Sequence, residues 1–134
     1  MESTAGLGRE AQVWVGGNLL TVCDNVSPAS GRRPPGVLEG VTFGYVSDEQ
    51  VDWTAAGNGN PMRRKGLDAE RGWGYTGYGR VLQVMPVVID FGLLRMECPH
   101  WSTEEKLVGR YVRVPIDRLE LRAAHVPDWP REMR

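Results

Sequence analysis

Lysine is nearly missing from this chain: Lys65 and Lys106 stand beside fourteen arginines. A GC-rich, bacterial genome explains that bias more simply than guanidinium recognition of anions does, because the arginines are scattered rather than gathered on one element. Charge of one sign is missing too. The net charge is −1, so no whole-molecule field draws the chain to nucleic acid or to a membrane. Cysteine is scarce, with only Cys23 and Cys98, which excludes a disulfide scaffold and points to buried, reduced thiols. Histidine is as rare. Cys98-Pro99-His100 with Cys23 and His125 adds up to four zinc ligands, but no pair has finger spacing, and no metal or cofactor is expected. Gly-x-Ser-x-Gly is absent, so no nucleophile elbow exists. Nor is there a long hydrophobic run. The stretch 81–91 is broken by Gln83, Pro86 and Asp90, well short of the roughly 20 apolar residues of a membrane span. Residues 1–10 have no apolar core of the kind a secretory signal needs. The expectation is a cytoplasmic protein with no membrane partner.

What is present is β-forming. Sixteen valines, seventeen glycines and nine prolines describe short strands joined by tight turns. At 134 residues the chain makes one domain, 1–134, able to bury a core without metals or disulfides. Val13 and Val15 flank Trp14, and Leu20 and Val22 follow the turn-like Gly16-Gly17-Asn18, which predicts a hairpin of 11–16 with 19–24. Residues 25–36, rich in Pro, Ser and Gly, form a long loop. From 37 to 46 the chain is extended, with Val41, Phe43 and Tyr45 on one face. A second short extended run is expected at 51–54. Residues 55–72 are another long loop, with a helical turn around 67–71.

The C-terminal half alternates more clearly. Residues 80–90 read as a strand, or two strands bent at Pro86. Gly92 turns the chain back into 93–98, with Leu94, Met96 and Cys98 inward. Ser102 and Glu105 fit a capping box for a short helix at 103–108, stopped by Gly109. Tyr111 to Ile116 alternates again, and 117–121 is a further strand or a turn of helix. The termini, 1–10 and 127–134, read as loose, with Trp129 pinning the second. The fold expected is all-β, mainly antiparallel: a small single-domain β-barrel or sandwich with one short helix.

Two motifs mimic nucleotide sites. Gly72-x-Gly74-x-x-Gly77 matches a dinucleotide fingerprint, but no strand precedes it and no helix follows. Asp90-Phe91-Gly92 resembles the magnesium loop of a kinase, but too few residues separate it from Gly77 for a lysine strand, a glutamate helix and a catalytic loop. Asp90 and Gly92 are better read as a β-turn. The glycine-aromatic alternation from Gly72 to Gly79 reads as a twisted edge strand or loop.

Its functional reading is an aromatic surface. Trp73, Tyr75 and Tyr78 offer rings for stacking, bracketed by Arg63, Arg64, Arg71 and Arg80, with Lys65 between. These residues are the candidate ligand-binding set. The function read from them is a non-catalytic binding module for a small ligand or partner protein. A rival is a small barrel enzyme of the cyclase or isomerase type acting on an apolar substrate, with Asp90 or Asp52 as the carboxylate. A third reading is single-stranded nucleic-acid binding, disfavoured by the net charge. A homodimer formed through an exposed strand such as 11–16 is a further option.

Overall fold

A computed structural model gives the fold and describes residues 10–25 and 41–123, together with the backbone of four two-residue strands, β1 (Glu2–Ser3), β2 (Gly6–Leu7), β5 (Arg32–Arg33) and β6 (Gly36–Val37). The remaining strands are β3 (Glu10–Val15), β4 (Asn18–Asp24), β7 (Val41–Val46), β8 (Gly66–Ala69), β9 (Tyr75–Gln83), β10 (Val88–Asp90), β11 (Arg95–Glu97), β12 (Tyr111–Ile116) and β13 (Arg118–Ala123). One helix, α1 (Trp53–Asn58), and a 3-10 turn, Glu105–Leu107, complete the described elements. Expectations for His125, Trp129 and the tail 127–134, and most of those for 1–10 and 25–36, lie outside the described residues.

The protein is an all-β, mainly antiparallel domain with a curled, half-barrel sheet and one short helix. The first sheet runs β5-β2-β3-β4-β13-β7, with β1 bridging β3 and β6. The second runs β11-β10-β9-β12, with β8 also on β9. One pairing is parallel, that of β4 with β13 at Cys23 and Asp24. Only Asp117 separates β12 from β13, so the chain passes from one sheet to the other across a single residue. Its carboxylate accepts the Asp48 N–H at 2.7 Å and ties that corner to the strand end of β7.

The β3–β4 hairpin closes through Gly16 and Gly17, both at positive φ, which a two-residue turn between right-twisted strands requires. Asn18 already pairs with Val15. Because β1 and β2 pair with β3 on the side away from β4, 11–16 is an interior strand and not the exposed edge expected.

Alternation drives the packing. Ala11, Val13, Leu20 and Val22 from the first sheet meet Val81, Ile89, Phe91 and Met96 from the second in one buried cluster. Tyr45 and Phe91 join the sheets edge-to-face, with ring centroids 6.4 Å apart. The Tyr45 hydroxyl donates to Cys98 Sγ at 3.1 Å. Burial raises both the phenol and the thiol above their ordinary values, so Cys98 is no thiolate nucleophile at neutral pH. Cys23 and Cys98 are both buried thiols.

Several local expectations change. Residues 53–58 are helical, where an extended run at 51–54 and a loop from 55 were expected, because the Asp52 carboxylate caps the amides of Thr54 and Ala55 at 3.0 and 3.2 Å. The segment 66–69 is strand β8 and not a helical turn, since β9 offers it a free edge. The helix expected at 103–108 shrinks to a 3-10 turn. Ser102 Oγ accepts only the Glu104 amide, at 3.1 Å, and the cap position Glu104 makes no side-chain bond.

Glu120 is a buried carboxylate on the face of β13 opposite Leu119 and Leu121, with a side chain 4% exposed. Arg118 and Arg122 reach it at 2.7 and 2.9 Å. Burial pushes its pKa up, but the hydrogen bonds from Arg122, Asn25 and Arg118 outweigh that and hold it below 4.5, the ordinary value. A depressed folded pKa means its stabilisation is complete above about pH 4.5 and is lost as pH falls through the folded value. Acid melts should therefore show wild type losing stability below that pH more steeply than Glu120→Gln. Parallel curves would assign the acid sensitivity elsewhere.

Candidate basic cleft

The glycine-aromatic segment supplies the frame of the site. Far from being an edge or loop, β9 is the central strand of its sheet. β12 lies along one side of it, and β8 and then β10 lie along the other. Period 2 sends Tyr75, Gly77, Gly79 and Val81 inward and Thr76, Tyr78 and Arg80 outward.

That alternation separates the three aromatic residues. Tyr75 is 6% exposed, and its hydroxyl donates to the Thr21 carbonyl and accepts the Thr21 amide, each at 2.9 Å. It fills the place of a strand partner where β13 has not yet reached β4. Half-buried Trp73 gives its carbonyl to the Leu119 amide at 2.9 Å. Residues 73–75 thus lace the two sheets together. Tyr75→Phe leaves both Thr21 groups unpartnered and should cost roughly 1–3 kcal/mol in chemical denaturation. A loss within error of zero would mean that water replaces the hydroxyl.

Tyr78 lies outward, and its ring is covered by Arg64, whose guanidinium carbon stands 4.4 Å from the centroid. The same guanidinium forks onto Asp68, with Nη1 at 2.8 Å and Nη2 also bonded. Arg71 is exposed in the turn leading to Gly74 and lines neither cleft described here. Of the sequence-derived set, Arg64 and Tyr78 pair with each other, and only Arg63 and Arg80 line a common cleft.

They meet in an open cleft of about 520 Å³ between the loop after α1 and the start of β12. Arg110 and Tyr111, which the sequence reading missed, complete it with Asn58 and Asn60. Tyr111 faces Arg80 across the β9–β12 register. Arg80 Nε donates to the Gly109 carbonyl at 3.4 Å. Among the described residues no carboxylate lines this cleft, and none of its three arginines has an ion-pair partner.

Asn60 holds the loop in place. It is 4% exposed, accepts the Arg64 amide at 2.9 Å, and donates to the carbonyls of Arg64 and Val112 at 2.9 and 3.1 Å. Between its two contact points Arg63 takes φ +53°, a left-handed conformation costing a non-glycine residue about 1–2 kcal/mol. The clamp sustains that strain where Arg63 lines the cleft with Arg80 and Arg110.

The two carboxylates singled out from sequence are engaged elsewhere. Asp90 accepts Lys65 Nζ at 2.8 Å and the Gly92 amide at 2.8 Å. Burial opposes its charge, but Lys65 and the Gly92 N–H prevail and hold its pKa below the usual range. Gly92, at φ +92°, turns β10 into β11 with Asp90 paired to Arg95. Asp52 caps α1 at the lip of a second open cleft of about 390 Å³, which it shares with Glu49, Arg113 and Thr76. Neither cleft contains Asp90. Among the described residues no three of His, Cys, Asp or Glu are grouped to hold a metal ion. Within the same residues no helix is long and apolar enough to cross a membrane.

Comparison of the chain with protein-family models, with curated proteins and with solved structures finds no match in any of the three.

Proposed function

We propose that the protein is a non-catalytic binding module whose small ligand is an anion, seated in the Arg63–Arg80–Arg110 cleft. The observation carrying this reading is that Arg63, Arg80 and Arg110 line one cleft and, among the described residues, have no ion-pair partner and no carboxylate beside them. Like charges gathered without a counter-ion repel one another, and an anion relieves that repulsion. Guanidinium forks also suit oxyanions geometrically. The aromatic-glycine strand then acts as scaffold, presenting Arg80 from its outward face.

The enzyme reading draws less support. It asks for a free carboxylate in an apolar enclosure, whereas Asp90 is ion-paired and Asp52 caps a helix. Nucleic-acid stacking asks for open aromatic faces, whereas Tyr75 is buried and Tyr78 lies under Arg64.

Arg80→Gln keeps the fold, because Arg80 is exposed and makes one long hydrogen bond. It should weaken binding of small oxyanions roughly tenfold or more, as a lost charge-assisted pair does. Titration calorimetry at low ionic strength with an anion panel tests this. Heats indistinguishable from dilution for every anion with the wild-type protein would sink the proposal.

A further inference from the structure

Resting on the anion-binding reading, we infer that the ligand is a phosphate monoester, with its oxygens among Arg63, Arg80 and Arg110 and its organic body in the remainder of the cleft. Three guanidinium groups exceed what a carboxylate can use. A carboxylate has two oxygens and one charge and is satisfied by a single fork. A phosphate monoester offers three terminal oxygens and close to two negative charges at neutral pH.

The cleft is also large for a bare ion. Its volume, about 520 Å³, lies within the range of roughly 300–1,000 Å³ typical of sites for organic molecules. Two of its loops carry an outward apolar side chain next to a lining residue. Met62, directly before Arg63, is 85% exposed, and Val108, directly before Gly109, is 48% exposed. Neutral polar residues, Asn58 and Tyr111 among them, complete the lining. Neither competes with the arginines for charge.

The charges facing the site come from three directions. Arg63 enters from the loop after α1, Arg80 from β9, and Arg110 from the residue before β12. Across the β9–β10 pairing, Asp90 lies opposite Arg80, but Lys65, just before β8, already holds it. Among the described residues the lining contains no His, Asp or Glu. Any pH dependence between about 5 and 7.5 therefore reports the ligand's second ionisation, near pH ~6.

Calorimetry with phenyl phosphate, phenyl sulfate, benzoate and methyl phosphate at fixed ionic strength separates the possibilities. Phenyl phosphate should bind at least roughly tenfold tighter than phenyl sulfate or benzoate at about pH 7.5, and that advantage should largely vanish at about pH 5. Methyl phosphate should bind more weakly than phenyl phosphate. Arg80→Gln and Arg110→Gln should each remove most of the preference, and the distant Arg71→Gln should leave it intact. Equal binding of benzoate or phenyl sulfate overturns the phosphate inference but leaves anion binding standing. No binding by any of the four overturns both. Co-sedimentation with phosphatidylcholine vesicles containing phosphatidic acid, if lost in Arg80→Gln, assigns the phosphate to a lipid headgroup. Binding of phenyl phosphate without co-sedimentation assigns it to a soluble ester.

Discussion

Gly79→Ala should lose about 3 kcal/mol or more of stability, enough to lower the melting temperature by roughly 10 °C. A Cβ at this position would stand 2.5 Å from the Asp90 carbonyl oxygen and 2.6 Å from Ile89 Cγ2. The first of these is backbone. It cannot yield without opening the β9–β10 pairing and disturbing the turn where Asp90 meets Lys65 and Gly92. Overpacking a core usually costs about 1–3 kcal/mol, and more when the main chain must move. Gly77→Ala is the internal comparison. Its Cβ would meet Phe91 Cε1 at 2.5 Å and Ile116 Cδ1 at 3.0 Å, both side-chain atoms able to shift. Gly77→Ala should therefore be the milder change. Denaturant melts of the two variants decide the point. The reverse order would mean that β10 gives way more readily than the Phe91 ring.

The second large effect is expected at Asn60. Asn60→Ala removes three hydrogen bonds at once and leaves the Arg64 amide and the carbonyls of Arg64 and Val112 without that partner. Net hydrogen bonds contribute about 1 kcal/mol each, and stranded buried groups cost more. A loss of about 2–4 kcal/mol follows, reduced wherever water reaches the loop. The same change releases Arg63 from its left-handed conformation and removes one wall of the basic cleft, so anion affinity should fall with stability. Asn60→Asp is not a rescue. It keeps the acceptor for the Arg64 amide but turns a carboxylate toward two carbonyls. Hydrogen exchange at residues 60–64 should accelerate in both variants. Unchanged protection there would show that α1 and Pro61 hold the loop without Asn60.

Legibility in the sequence followed the range of the interactions. Period-2 alternation at Tyr111–Ile116 and Leu94–Cys98 reports burial on one face, a property each strand carries in its own residues, and both strands are found. Gly16-Gly17 and Asp90–Gly92 are local turn chemistry and appear as turns. The glycines of 72–79 misled because their purpose is non-local. Gly77 and Gly79 are small so that Phe91 and the β10 backbone can approach from across the sheet. No local pattern distinguishes such a glycine from a loop glycine. Residues 53–58 failed for a different reason. Val51 and Trp53 looked β-like, while the deciding feature was the Asp52 cap followed by alanines.

The candidate site was half visible. Arg63 and Arg80 stood out only as neighbours of the aromatic segment, and Arg64 and Arg71 had equal claim. What separates them is pairing: Arg64 has Asp68 and Tyr78, whereas among the described residues Arg63 and Arg80 have no carboxylate partner. Arg110 was missed altogether. It lies thirty residues beyond Arg80 in the chain, and only the β9–β12 pairing brings the two together. The one available signal was the turn residue Gly109 set between an exposed valine and Arg110.

Tyr75→Phe and Arg80→Gln, measured side by side, test the division of this strand into an inward scaffold and an outward binding group. Each variant is titrated with phenyl phosphate at a temperature where circular dichroism shows it folded. Tyr75→Phe should be less stable than wild type yet bind with unchanged affinity per folded molecule. Arg80→Gln should melt like wild type and bind roughly tenfold more weakly or worse. If Tyr75→Phe loses affinity while Arg80→Gln keeps it, the ligand belongs to the aromatic segment and the basic cleft is only surface.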